Sequence, residues 1–209
     1  MENKKINFDD TLSRIYERDK KSLLRIPKRY TFGDLATCED IFYQAFRTID
    51  KSVREIEKLP EYSEIIRWMS DTQGKGLLLT GDCGRGKSTI GCGVIPLIFA
   101  HFANTRITPI SAESIVEKMD KLIPEADYFN VHSGYAIDDL GCESLANNYG
   151  NKYEPAVRLI NEIEAKIKTL IITTNLTPEQ LLDRYGVRTM DRLIRLCKVI
   201  KFKGKSLRK

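Results

Sequence analysis

The sequence predicts an α/β domain in which a parallel sheet is flanked by helices. Three observations carry this. Short apolar runs of strand length alternate with amphipathic stretches of helical period, the order of a doubly wound fold. The run Leu77-Leu78-Leu79 is apolar at consecutive positions, as a strand covered on both faces must be. The segment Thr169-Leu170-Ile171-Ile172-Thr173 is β-branched almost throughout, which suits a pleated, buried surface. A chain of 209 residues, 42% hydrophobic and 30% charged, has the size and balance of one globular domain with a short appendage.

The elements follow in order. Residues 1–26 are polar with scattered apolar positions and read as a basic, partly helical arm; residues 27–209 form the main domain. Pro27 and the turn Thr31-Phe32-Gly33-Asp34 mark the entry. Ile41, Phe42, Ala45, Ile49, Val53 and Ile56 recur near the helical period and predict one long helix over 39–59, ended by Pro60. A short helix over 62–69 leads to the strand at 76–80. A glycine-rich loop and a helix come next, and Pro96 should kink or end that helix. Strand Arg106–Ile110 precedes a helix capped by Ser111 and running to about Leu122. Tyr135-Ala136-Ile137 is a further strand, and 154–167 a helix with Val157, Ile160, Ile163 and Ile167 on one stripe. After the strand at 169–173, Thr177-Pro178-Glu179-Gln180 forms a capping box with proline at the first helical position. A helix over 188–196 and a last strand over 198–203 close the chain.

Composition excludes several classes. The longest mostly apolar stretch, Ile90 to Ala103, is 14 residues long and interrupted by Gly91, Gly93, Pro96 and His101, too short to span a bilayer. No apolar leader follows Met1, so the cytoplasm is the expected location. The five cysteines are irregularly spaced without a CxxC pair, and the two histidines are far apart, which disfavours a disulfide framework and a zinc site. The net charge of +5 is unevenly placed: residues 1–30 carry +4, residues 198–209 carry +6, and the body between carries −5. Basic ends are suited to phosphate backbones, and equally to solvated tails.

The chemistry begins at Gly81-Asp82-Cys83-Gly84-Arg85-Gly86-Lys87-Ser88, which fits G-x-x-x-x-G-K-[ST] between a strand and a helix, with Thr89 next. Glycines let backbone N–H groups converge on an anion, and the helix N-terminus adds positive potential. Lys87 is placed to reach the β- and γ-phosphates of a nucleotide, and Ser88 to ligate Mg²⁺. This makes the domain a P-loop NTPase. About 50 residues on, Tyr135-Ala136-Ile137 runs into Asp138-Asp139: the first acid is placed to hold Mg²⁺, the second to orient or polarise water, with Glu143 near enough to substitute. Asn175, 37 positions after Asp138, follows a strand end where a polar group can meet the γ-phosphate or the water. Arg188, Arg192 and Arg195 share one helical face, which is either solvated or turned toward a neighbouring subunit.

These motifs together resemble the AAA+ ATPases of the DnaC/DnaI helicase-loader type, and IstB-like transposition ATPases share the pattern. The resemblance rests on the phosphate loop, Ile137-Asp138-Asp139-Leu140-Gly141-Cys142-Glu143, Thr173-Thr174-Asn175-Leu176-Thr177-Pro178-Glu179, Tyr185-Gly186-Val187-Arg188-Thr189-Met190-Asp191-Arg192-Leu193 and Phe202-Lys203-Gly204-Lys205-Ser206-Leu207-Arg208. It implies ATP and Mg²⁺ as cofactors and Lys87, Ser88, Asp138 and Asp139 as the Walker A and B site. It further implies Asn175 as sensor 1, Arg192 as a finger acting on a neighbouring subunit's ATP, and Arg208 in the sensor-2 region. It implies a homo-oligomeric ATPase that engages single-stranded DNA and a replicative helicase. The alternatives are an IstB-like partner of a transposase on duplex DNA, or an adaptor that binds ATP and hydrolyses it poorly. The chain departs from the common pattern in three ways: Asp139 stands where most AAA+ proteins have glutamate, little sequence precedes the domain, and no separate lid domain follows Arg192. Lys118 to Ser133, with Lys121, Tyr128 and Phe129, is the candidate DNA-contacting insertion. Tyr30 and Phe32 fit either the adenine base or the core.

Overall fold

The computed structural model describes residues 27–52, 56–115, 134–144, 146–148 and 151–207. The expected arm at 1–26, the candidate insertion at 118–133 and Arg208 lie outside them. Strand β1 is Gly76–Gly81, β2 Ile107–Ser111, β3 Gly134–Asp138, β4 Ala146–Asn148, β5 Asn151–Tyr153, β6 Thr169–Thr174 and β7 Cys197–Phe202. Five of them form one parallel sheet in the order β2-β3-β6-β1-β7. The antiparallel pair β4–β5 stands apart from it and was not predicted.

Alternation along each strand divides the core in two. Leu77, Leu79, Ala136, Ile171 and Ile200 face one side, where they meet the helices α1 (Leu35–Ile49), α2 (Pro60–Ser70) and α3 (Lys87–Ala103). Leu78, Tyr135, Ile137, Leu170 and Ile172 face the other, covered by α4 (Pro155–Ala165) and α5 (Pro178–Leu196). The sheet is thus sandwiched between helices, as predicted.

The helix boundaries differ from expectation in instructive ways. The single helix expected over 39–59 is α1 alone, beginning at Leu35 with Asp34 accepting the Thr37 N–H. It ends before Asp50, whose carboxylate accepts from the Ser52 backbone and side chain. An Asx turn of this kind competes with helical pairing, and apolar periodicity does not register it. Pro60 does not end a helix but begins α2, at a position where its missing N–H costs nothing. Tyr30 and Phe32 settle on the core: both rings pack edge-on against Phe99, at 4.8 and 5.1 Å between centroids. Phe99 is twelve residues beyond Lys87, about 18 Å along a helix from the phosphate loop. At α5, the capping box at Thr177 and Gln180 is present, and the span comprises the two expected helices, joined across the non-helical Gly186 (φ 77°, ψ 167°).

Helix α3 resolves the Pro96 problem. It consists of an α turn at Lys87–Thr89, a π turn at Ile90–Val94 and an α-helix at Ile95–Ala103. The Ile95 N–H bonds to the Ile90 carbonyl five residues back, and Pro96 follows immediately. The extra residue in this turn shifts the register where proline has no donor to offer, so the helix continues instead of breaking. Gly91 lets the same turn lie against the sheet: a Cβ there would stand 2.6 Å from Thr173 Cγ2. Gly91→Ala is therefore expected to lower stability by about 1–3 kcal/mol in urea unfolding, although alanine is the better helix former by about 1 kcal/mol.

Candidate nucleotide site

Three neighbouring strands end together. Gly81 closes β1, Thr174 closes β6 just before Asn175, and Asp138 closes β3. In open α/β sheets, ligands bind at these carboxyl ends. The structure therefore brings the three sequence-predicted motifs, 81–88, 138–139 and 175, to one edge.

The phosphate loop is shaped by Gly84 (φ 74°) and Gly86 (φ 84°), both in the left-handed region. Such alternation turns successive N–H groups inward, and the first turn of α3 follows at Lys87. Ser88 and Thr89 occupy that turn. The buried Lys87 ammonium donates to the carbonyls of Gly81 and Asp82 at 2.8 and 2.7 Å, spanning the mouth of the loop from within. Asp82 and Cys83 are exposed. Asp82 is turned outward, where its carboxylate accepts the Gly204 N–H at 2.8 Å. Arg85, which the motif places among the nucleotide-binding positions, is buried against Glu61 of α2, so only its backbone is available to a phosphate.

The acids at the end of β3 are fixed by a residue that motif reading did not single out. Thr173 Oγ1 donates to Asp138 Oδ1 at 2.6 Å and accepts the Asp139 N–H at 3.0 Å. The Leu140 N–H then bonds to the Thr173 carbonyl. Asp139 adopts φ 53°, a conformation aspartate tolerates better than most residues, and Asn175 Nδ2 lies 3.4 Å from its Oδ1. A signal for Thr173 was present: Thr173-Thr174 are polar at the end of an otherwise apolar buried strand. Cys92 lies on the π turn; burial first, and then the Asp138 carboxylate, push its thiol pKa far up, so it is a neutral neighbour of the site.

Glu143 is not a spare base. Its buried carboxylate accepts from the Tyr185 hydroxyl and, at 2.8 Å, from the Gly141 N–H. Arg184 donates to the carbonyls of Gly141 and Glu143. This group ties the loop after β3 to α5. Burial, reinforced by Glu143, raises the Tyr185 pKa and keeps its phenol a donor. The basic face of α5 is largely engaged inside the chain: Arg192 meets Glu164 at 2.9 Å and Asn161 at 2.5 Å, Arg195 also pairs with Glu164, and Arg188 is exposed.

Ser88 and Asp138 are hard oxygen donors, the kind that hold Mg²⁺ together with substrate phosphates. No cluster of three or more His, Cys, Asp or Glu suited to a metal occurs among the described residues. Nor is any helix among them long and apolar enough to cross a membrane.

No family model matches the chain, and no curated protein matches its sequence. Solved structures do match. The DnaC helicase loader superposes with a TM-score of 0.56 at 16% identity, over 76% of this chain and 98% of that one. DnaI superposes with a TM-score of 0.53 at 17% identity, over 77% of this chain and 94% of that one.

Thr173→Val, which keeps the shape and removes the hydroxyl, is expected to cost about 1–3 kcal/mol of stability by leaving Asp138 and the Asp139 N–H without this partner. Thermal unfolding checks it, and unchanged stability would show the hydroxyl to be idle. A five-stranded parallel sheet in this order, with helices on both faces and the three motifs at its carboxyl edge, gives the chain the AAA+ fold seen in the DnaC and DnaI helicase loaders.

Proposed function

We propose that this protein is a Mg²⁺-dependent ATPase of DNA replication that acts as an oligomer on single-stranded DNA, in the manner of a helicase loader. The observation that carries the reading is the meeting of the phosphate loop, the Asp138-Asp139 pair and Asn175 at one sheet edge, in a fold shared with two helicase loaders.

In this reading the N–H groups of residues 84–89 bind the phosphates, and Lys87 exchanges its two carbonyl partners for the β- and γ-oxygens. Ser88 and Asp138 hold Mg²⁺, which when bound neutralises charge developing on the transferring phosphoryl group. Asp139, backed by Asn175, orients the attacking water and accepts its proton. The Asp139 carboxylate is one methylene shorter than the glutamate common at this position, so turnover is slow until a partner adjusts the geometry. Arg192 is assigned to a neighbouring subunit's nucleotide, where a cation stabilises the transition state. It must leave Glu164 and Asn161 to do this, so hydrolysis depends on assembly. Arg208 is assigned to nucleotide binding, in the sensor-2 region. The basic ends of the chain supply phosphate contacts to DNA.

The test is ATP turnover per subunit across a range of protein concentration, alone, with single-stranded DNA and with duplex DNA. Turnover is expected to rise with concentration, to rise further with single strands, and to fall at least 100-fold, roughly the lower range for lost charge stabilisation, in Arg192→Ala while ATP binding survives. Stimulation by duplex DNA instead would assign the protein to transposase-type partners. Binding with no turnover under any condition would make it an adaptor.

A further inference from the structure

We propose that Glu61 is a positioning residue for the phosphate loop, acting through Arg85 to hold the loop in its phosphate-receiving shape before nucleotide arrives. The inference rests on the nucleotide-binding reading above and concerns a residue outside every motif that led to it.

Arg85 lies between Gly84 and Gly86, the two residues of the loop with the greatest conformational freedom. Its guanidinium donates to Glu61 Oε1 from Nε at 3.2 Å and from Nη2 at 2.6 Å, and its Nη1 donates to the Lys205 carbonyl at 3.3 Å. Both charged side chains are buried, at 8% and 5% exposure. Desolvating two charges costs several kcal/mol per ion, so such a pair is a weak source of stability. What it supplies is a fixed geometry. Arg85 cannot swing toward the phosphates without leaving Glu61 buried and alone, so the loop residue between two glycines is anchored from behind. Glu61 is itself fixed by its place in the first turn of α2, where the next residue, Tyr62, brings its hydroxyl to 3.3 Å from the Cβ position of Gly86.

The outer side of the loop is braced by the end of β7 and the residues after it. The Asp82 N–H bonds to the Phe202 carbonyl at 3.0 Å, the Gly204 N–H to Asp82 at 2.8 Å, and the Leu207 N–H to the Gly84 carbonyl at 2.8 Å. A Cβ on Gly84 would stand 2.1 Å from Ser206 Oγ, so the two segments are in direct contact. Arg85 joins the two braces, with Glu61 on one side of its guanidinium and the Lys205 carbonyl on the other. Ordering backbone costs conformational entropy at each residue fixed. A loop held in place beforehand spares the nucleotide that cost on binding.

The experiment measures the ATP Kd in Mg²⁺ and the turnover at saturating ATP, for wild type, Glu61→Gln, Arg85→Gln and the double variant. Each single substitution is expected to raise Kd about tenfold, 1.4 kcal/mol. The double is expected to be no worse than either single, and Glu61→Gln is expected to keep saturated turnover within about twofold of wild type, since the ion pair acts on binding and not on chemistry. Unchanged or tighter binding in Glu61→Gln, or single effects that multiply in the double, would overturn the proposal. A comparable loss in saturated turnover would also overturn it, because that marks general damage. Should Glu61→Gln fail to fold, Glu61→Asp takes its place, with an intermediate rise in Kd expected and wild-type affinity contradicting it. Lys87→Ala separates the two levels. If wild type binds no ATP, the nucleotide reading itself fails. If wild type binds, Lys87→Ala does not, and Glu61→Gln matches wild type, only the role of Glu61 fails.

Discussion

Parallel pairing in fixed register holds the ends of β1, β6 and β3 level, with Thr80 opposite Thr174 and Ile137 opposite Ile172. The phosphate loop, Asp138, Asp139 and Asn175 hang from that edge. The pairing also dictates how the ends communicate. Thr173 reaches sideways from β6 to Asp138 and to the Asp139 N–H, and Thr174 donates to the Leu140 carbonyl. The acids are therefore not simply the end of a strand. They are held by the neighbouring strand that leads into Asn175, so the positions of Asp139 and Asn175 are set by one set of hydrogen bonds.

Helix α3 meets the same constraint from the other side of the loop. It must start at Lys87, lie close over β6 at Gly91 and continue through Pro96. The π turn at Ile90–Val94 satisfies all three demands, and it also sets Cys92 beside Asp138. π turns recur at functional sites because they change side-chain direction without ending a helix. Here the turn leaves the phosphate loop and the acidic strand end in contact through α3.

Much of this was legible in the sequence. The centre of the main sheet was legible because β1, β3 and β6 are buried on both faces and read as short apolar runs, and the phosphate loop was legible because its glycines, lysine and serine have fixed spacing. The acids and Asn175 gained meaning from that loop and from their place at strand ends. What escaped depends on contacts distant in sequence. Glu61 and Arg85 are 24 positions apart, and neither residue alone announces the pair. Arg192 lies on a face whose spacing permits outward display, yet Glu164, from another helix, captures it. Glu143 sits near the acids in sequence, but Tyr185 and Arg184 claim it for packing. The break after Ile49 and the role of Pro60 turned on local hydrogen bonding by Asp50 and on proline's missing donor, which apolar periodicity does not see.

The central claim is that the edge formed by β1, β6 and β3 is a Mg²⁺–ATP site in which Asp138 serves the metal. The most direct measurement is ATP affinity as a function of Mg²⁺ concentration, by titration calorimetry, for wild type and Asp138→Asn. The account predicts that wild-type affinity for ATP strengthens with Mg²⁺ and that Asp138→Asn retains metal-free binding while losing most of that strengthening. An ATP affinity indifferent to Mg²⁺ in wild type, or a Mg²⁺ response left intact in Asp138→Asn, would contradict it.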